Sequence, residues 1–425
     1  MAKIIIIGGG WAGCSAAVTA RKTGAQVQLL ERTDLLLGLG NVGGIMRNNG
    51  RFTAAEENIA MGAGELFEIT DGCATHRNAE FPGHSHATFY NVLKVEPAVR
   101  RLLSEMGIEI RFMTRITQVE TEPAEAPEEN RITALRSADG ETFEADVYIE
   151  CTGTTGPMGN CMEFGNGCSM CVLRCPAFGP RVSISEKAGG HDYYGIRGDG
   201  TPGAFSGSTK LEKDSLSEEL QRRLSETGVA VVPLPHELIN RSKLGAKVCR
   251  QYALPQFAEN IILIDTGYAK MMTSYFPLEQ LRTVEGFENA RFADPYAGGK
   301  GNSIRYMAVT ERDSSMLVRG VSNLFCGGEK AGTFIGHTEA ISTGALAGHN
   351  AGLAARGICR QELLTLPDTM AIGALLQYQK ADGGMFTFAG DEFFAYMKER
   401  GLYTTDRAEI AARIEAAGLT DVYDC

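Results

Sequence analysis

The stretch from Lys3 to Arg32 constrains this chain more than any other. Ile4-Ile-Ile-Ile7 is a continuous β-branched run, the composition of a strand covered on both faces. Gly8-Gly-Gly10-Trp-Ala-Gly13 follows at once, and Ala16, Ala17 and Ala20 then fall at helical spacing. A second short run, Gln26–Leu30, ends at Glu31 and Arg32. Strand, glycine loop, helix, strand and acid in that order predict a dinucleotide-binding βαβ unit. Gly8 allows the tight turn, Gly10 lets the backbone approach a pyrophosphate, and Gly13 lets the helix pack closely on the strand. The pyrophosphate is expected at the helix N-terminus, where free N–H groups and the helix dipole favour an anion. Glu31 stands where an acid bonds a ribose hydroxyl, with Arg32 beside it.

Two later segments favour FAD over NAD. Ala145-Asp-Val-Tyr-Ile-Glu-Cys151-Thr152-Gly153 reads as a strand ending in a tight turn, and resembles the Ala-Thr-Gly stretch of flavoproteins with two dinucleotide domains. Asn323-Leu-Phe-Cys326-Gly327-Gly328-Glu329 reads as another strand, ending in Gly-Gly-acid, and resembles the late flavoprotein motif whose acid bonds the ribityl chain. The helix beginning near Gly336 would aim its N-terminus at the flavin pyrimidine ring and stabilise negative charge there. Gly43 and Gly44, followed by Arg47, Asn48 and Asn49, lie in the loop after the second strand, where such loops approach the isoalloxazine. Arg47 and Asn48 are candidates to fix a carboxylate or phosphate. His337 is a candidate to donate a proton to reduced flavin or to substrate, with helix capping as the open alternative.

The resemblance then becomes specific. Gly8–Ala17 (GGGWAGCSAA), Gly327–Ala340 (GGEKAGTFIGHTEA), Gly344–Ala351 (GALAGHNA), Thr369–Leu376 and Met385-Phe-Thr resemble the glucose-inhibited division protein A superfamily, which includes folate- and FAD-dependent tRNA uridine methyltransferases. The resemblance implies a glutathione-reductase-type FAD domain with an inserted substrate domain, and reduced flavin acting on a carbon electrophile. The methyltransferases place a nucleophilic cysteine in the loop after the second strand. Thr33 to Gly50 contains none, so that role is not carried over.

Cys161, Cys168, Cys171 and Cys175 form a C-x6-C-x2-C-x3-C run followed by Pro176. The last three have the C-x2-C-x3-C-P ending of a bacterial ferredoxin run, and four thiolates on a short glycine-rich loop suit a 4Fe–4S cluster. A zinc site and redox-active thiols are the alternatives; zinc usually pairs two C-x2-C knuckles across a longer gap. Cys73, His76, His84 and His86 have weak metal spacing and read as a surface or pocket-lining loop.

The predicted fold is α/β. A Rossmann-like, glutathione-reductase-type FAD domain occupies residues 1–155 and 311–365, a cysteine-rich loop 156–180, an inserted α+β substrate domain 181–310, and a helical tail 366–425. At 425 residues the chain can bury a sizeable core. A net charge of −11 disfavours RNA as a partner. No apolar run is long enough to span a bilayer, and Met1-Ala-Lys leads straight into a strand, so a cytoplasmic protein is expected. The sequence thus points first to an iron–sulfur flavoenzyme passing electrons between the cluster and FAD to reduce or oxidise a small substrate. Ferredoxin or NAD(P)H would be the electron donor, and an oligomer is compatible. RNA uridine modification and an electron-transfer subunit of a larger complex are the alternatives.

Overall fold

In the computed structural model the described residues are 1–153, 178–194, 204–205, 209–244, 250–272, 276–293, 304–305, 308–378, 387–390 and 392–424. The isoleucine run forms the middle of a five-stranded sheet. Its order is Leu324–Cys326, Val147–Glu150, Lys3–Ile7, Gln26–Leu30, Glu109–Arg111, and all four pairings are parallel. Ile4, Ile5 and Ile6 are fully buried, as expected for a strand covered on both faces. The chain is therefore α/β with a Rossmann-like sheet, and the three strands that end in the glycine motifs lie side by side.

The fingerprint helix (Trp11–Lys22) packs against a long late helix (His337–Ala355). Gly344, Gly348 and Gly352 recur every four residues and so share one helix face. A Cβ on Gly344 would lie 2.2 Å from the Ala12 carbonyl oxygen, and one on Gly348 would lie 2.2 Å from that of Ala16. The two backbones touch, and only glycine fits between them. Hydroxyls lock the contact: Ser15 donates to the Ile341 carbonyl at 2.7 Å and Thr19 to that of Ala345 at 2.9 Å.

Beside this unit, Ile45–Met46, His84–Tyr90 and Ala74–Phe81 form a three-stranded antiparallel sheet. The loop expected around His76, His84 and His86 is thus a β-hairpin, turning at Pro82-Gly83 with Gly83 at φ +76°. Alternation is broken there by register shifts and by positive φ at Asn78 and His86, which hides the strand period from the sequence. A four-stranded antiparallel sheet (Thr209–Leu211, Ala269–Met271, Asn260–Asp265, Val229–Pro233) carries its own apolar core with the helix Glu218–Thr227. Asp139-Gly140 turns a hairpin between Asn130–Ser137 and Thr142–Phe143.

The helical tail expected over 366–425 contains the helices Glu392–Glu399 and Arg407–Ala416. A short helix, Ala371–Gln377, precedes them, and its first N–H groups are capped from a distance. The buried Glu57 carboxylate accepts from Ala371 N at 2.8 Å and Ile372 N at 3.0 Å. Burial pushes the Glu57 pKa up to about 7, against the opposing pull of those two amides. Among the described residues, no helix is long and apolar enough to cross a membrane.

The glycine seam can be checked by substitution. Gly348→Val should destabilise the fold by about 3 kcal/mol or more, because an overpacked contact with backbone cannot relax by rotamer change. A Cβ on Gly72 meets nothing within 4 Å. Gly72→Ala should therefore stay within about 0.5 kcal/mol of the parent in the same urea or thermal melts.

Candidate active site

The fingerprint glycines divide the labour as their spacing predicts. Gly8 takes φ +101°, and a Cβ there would stand 2.4 Å from the Cys151 carbonyl oxygen. A Cβ on Gly13 would lie 1.9 Å from the Gly8 carbonyl oxygen. Gly10 is different: a Cβ on it meets nothing within 4 Å. Two of the glycines are needed by the protein itself, and the third faces open space at the N-terminus of a twelve-residue helix. That is where a pyrophosphate would approach the backbone. Gly153, at φ +68° with nothing within 4 Å, leaves a second opening at the end of the neighbouring strand.

Glu31 is buried at the end of the second strand. One carboxylate oxygen accepts from Gly9 N at 2.7 Å and the other from Thr33 N at 2.8 Å, so the acid holds the glycine loop in shape. Arg32 donates to the Gly179 carbonyl. Thr152 donates to Glu150 at 2.8 Å. Gly328 and Glu329 lie in a short 3-10 turn directly after the strand Leu324–Cys326, beside the fingerprint helix; a Cβ on Gly328 would stand 2.9 Å from the Ala12 side chain. Burial pushes the Cys151 thiol well above its ordinary range and the Cys326 thiol up to about 12, so both are neutral packing groups.

His337 opens the late helix and packs on the expected flavin-facing loop. A Cβ on Gly43 would fall 1.6 Å from its ring, which requires glycine there. Gly44, at φ +82°, is closed off by Thr266 on its other side. The Tyr90 hydroxyl donates to the Gly40 carbonyl at 2.8 Å and lies 3.2 Å from His337 Nδ1. With its proton committed to Gly40, Tyr90 accepts from His337 Nδ1–H.

Arg47 is turned inward. Its guanidinium pairs with Glu56 and, at 2.8 Å, with Asp71. Asn48 bonds His84 Nδ1 through Nδ2 at 2.9 Å and accepts from Arg51 at 3.2 Å. Burial drives the His84 pKa down to about 3, with the Arg51 charge acting in the same direction. The ring is neutral, lies stacked on Phe81 with centroids 4.4 Å apart, and has Tyr252 tilted against it at 4.9 Å.

Two buried charge networks flank the cradle and left no signal in the sequence, because their partners are far apart in the chain. In the first, Arg51 meets the fully buried Glu339 at 3.1 Å and also reaches the Ile335 carbonyl and Thr387. Glu339 accepts in addition from Thr387 and from Phe388 N at 2.9 Å. In the second, Lys330 pairs with Asp192 and donates to Ser183 at 3.0 Å, with Glu150 at 4.0 Å. Burial opposes the charge on Asp192. Lys330 with Ser183 and Ser185 outweighs it and holds that carboxyl below the usual range. Glu150 accepts from Ile184 N and Ser185 N, fastening the segment after residue 178 to the end of the Val147–Glu150 strand.

Cys161, Cys168, Cys171 and Cys175 lie outside the described residues. Among the described residues no group of three or more His, Cys, Asp or Glu side chains is placed to hold a metal.

Parallel sheet, glycine cradle and adjoining carboxyl-end motifs define a dinucleotide-dependent enzyme of the Rossmann-like flavoprotein class. The chain belongs to the glucose inhibited division protein A family, whose model matches residues 3–254 and 256–359. Family and cradle together make it an FAD-dependent enzyme. The structure of Aquifex aeolicus GidA in its form II crystal is similar, with a TM-score of 0.64 at 15% identity, covering 98% of this chain and 76% of that one. The form I crystal gives 0.60 at 15% identity, with 98% and 78% covered.

Bound in this cradle, FAD supplies two-electron redox chemistry at its ring system. The open Gly10 backbone would take the pyrophosphate, and Glu31, Thr152 and Glu329 stand on the adjoining strand ends. Gly10→Ala should leave the melting temperature of the flavin-free protein unchanged and weaken FAD binding at least tenfold. Flavin fluorescence titration beside a thermal melt reads both quantities.

Proposed function

We propose that this protein is an FAD-dependent enzyme that modifies uridine in RNA, adding a one-carbon unit with electrons carried by its flavin. The observation that carries this reading is the family match, which runs from residue 3 to residue 359 with one residue skipped. It therefore spans the middle of the chain as well as the two FAD-binding ends. What carries over is the flavin and the class of substrate base. The covalent step of the methyltransferases does not, because residues 33–50 hold no cysteine. His337, whose ring packs on Gly43 and whose Nδ1 bonds Tyr90, is the side chain best placed to hold or move a proton at the loop Gly43-Gly44.

The test uses FAD-loaded protein with an unmodified transfer RNA transcript, a methylene-donating folate and reduced nicotinamide. Nucleoside mass spectrometry should find a one-carbon gain on uridine, and RNA retention should fall steeply as salt rises above ~50 mM. Unmodified uridine together with no retention at low salt would refute this reading.

A second reading is supported by one feature, the position of the four-cysteine run. Cys151-Thr152-Gly153 ends a strand against Gly8, and the four cysteines follow within the next 22 positions, Thr154 to Cys175. A 4Fe–4S cluster held by Cys161, Cys168, Cys171 and Cys175 would then exchange electrons with FAD. Ferredoxin or NAD(P)H would supply them, and a small molecule would be the substrate. Anaerobically purified protein should contain about four irons and four sulfides per chain, the content of one cubane cluster. Zinc, or no metal, in protein replete with FAD would eliminate the electron relay.

A further inference from the structure

A pocket of about 530 Å³ opens between the hairpin strand Ala74–Phe81 and the helix Glu218–Thr227, and no residue of the glycine cradle lines it. Its functional lining is His76, Lys94, Lys213, Gln221, Ser225 and Asp265. The volume is in the range that holds a small organic ligand, roughly 300–1,000 Å³. Its floor is tied to the flavin loop: Asp265 is followed by Thr266, whose side chain packs on Gly44.

The polar groups are not self-satisfied. Asp265 is buried; one oxygen accepts from Lys213 at 2.9 Å and from Gly267 N at 3.0 Å. Its other oxygen lies 4.0 Å from His76 Nδ1, too far for a hydrogen bond. His76 Nε2 bonds the Ser225 carbonyl at 3.1 Å, so in the neutral ring Nδ1 is an acceptor, and it is buried without a partner. Gln221 spends one amide N–H on the Leu216 carbonyl, and its oxygen is an acceptor. Lys94 is exposed, and among the described residues its ammonium makes no ion pair or hydrogen bond.

The pocket thus offers one uncommitted ammonium, a second ammonium shared with a buried carboxylate, and three waiting acceptors. A bare anion would satisfy the ammoniums and leave Asp265, His76 and Gln221 unmatched. An uncharged sugar would do the reverse. A phosphorylated sugar satisfies both sets, its phosphate on the lysines and its hydroxyls on the acceptors. We infer that this pocket binds the ribose and phosphate of a nucleotide-class ligand, with phosphate on Lys94 and Lys213 and hydroxyls on Asp265 and His76. The choice of uridine as the base rests on the proposed function; the phosphate site does not.

The experiment is calorimetric titration of the FAD-loaded full chain with uridine, uridine 5′-monophosphate and the dinucleotide UpU. At least one phosphorylated ligand should bind tenfold or more tightly than uridine. Lys94→Gln, which breaks no ion pair, should reduce that ligand to the level of uridine while flavin content and melting temperature stay unchanged. Tighter UpU assigns the site to an internal phosphodiester, as in RNA, and tighter monophosphate to a terminal phosphate; both uphold the site. Equal binding of all three, no binding, or an unaffected Lys94→Gln variant would overturn it. Nucleotide binding without uridine modification in RNA would sink the proposed function and leave this pocket standing.

Discussion

The contact between the fingerprint helix and the late helix is the constraint on which the remaining structure depends. It brings backbone against backbone at Gly344 and Gly348, and Gly352 extends the seam against the Thr23 side chain. Without that closeness the strand Leu324–Cys326 could not deliver Gly328 and Glu329 beside the cradle, nor could the late helix start at the loop Gly43-Gly44. The seam joins residues 326 apart in the chain through two hydroxyl–carbonyl bonds. Small residues make such a contact possible, since dispersion grows as the surfaces approach and no side-chain rotamer has to be frozen.

The site is built from backbone at the cradle and from buried charge around it. Glu31 shapes the glycine loop rather than projecting from it. Arg51–Glu339 and Lys330–Asp192 hold the starts of elements that approach the cradle from opposite ends of the sequence. Buried pairs of this kind add little net stability against an apolar replacement, yet removing one partner costs about 3–5 kcal/mol. Their effect is to fix geometry. Each guanidinium or ammonium is satisfied by more than one segment, so the segments can sit together in one way only.

Local pattern carried much of this into the sequence. The isoleucine run, the glycine spacing and the Gly-Gly-acid motif each describe a backbone demand that few residues satisfy, and the parallel sheet follows from them. The hairpin Ala74–Tyr90 was hidden because bulges at Asn78 and His86 destroy its two-residue period. Arg47 sits in the loop where an anion clamp was expected, but the loop takes φ +62° there and the side chain turns to Glu56 and Asp71. The charge networks were illegible for a simpler reason: Arg51 and Glu339 are 288 residues apart, and no local period relates them.

The Glu57 cap on the helix Ala371–Gln377 makes attachment of the C-terminal region a proton-linked event. The ordinary carboxyl range lies near 4.5, and burial raises Glu57 to about 7. Between those values the folded state binds a proton that the unfolded chain releases. The contribution is complete below about 4.5 and is lost as pH rises through 7. The deprotonated carboxylate keeps its two amide donors and the opposing Arg413 charge, but burial strips it of water. Seating of the helix Ala371–Gln377 on the helix Gly50–Ala60 therefore takes up a proton near neutrality, which links that packing to the acidity of its surroundings.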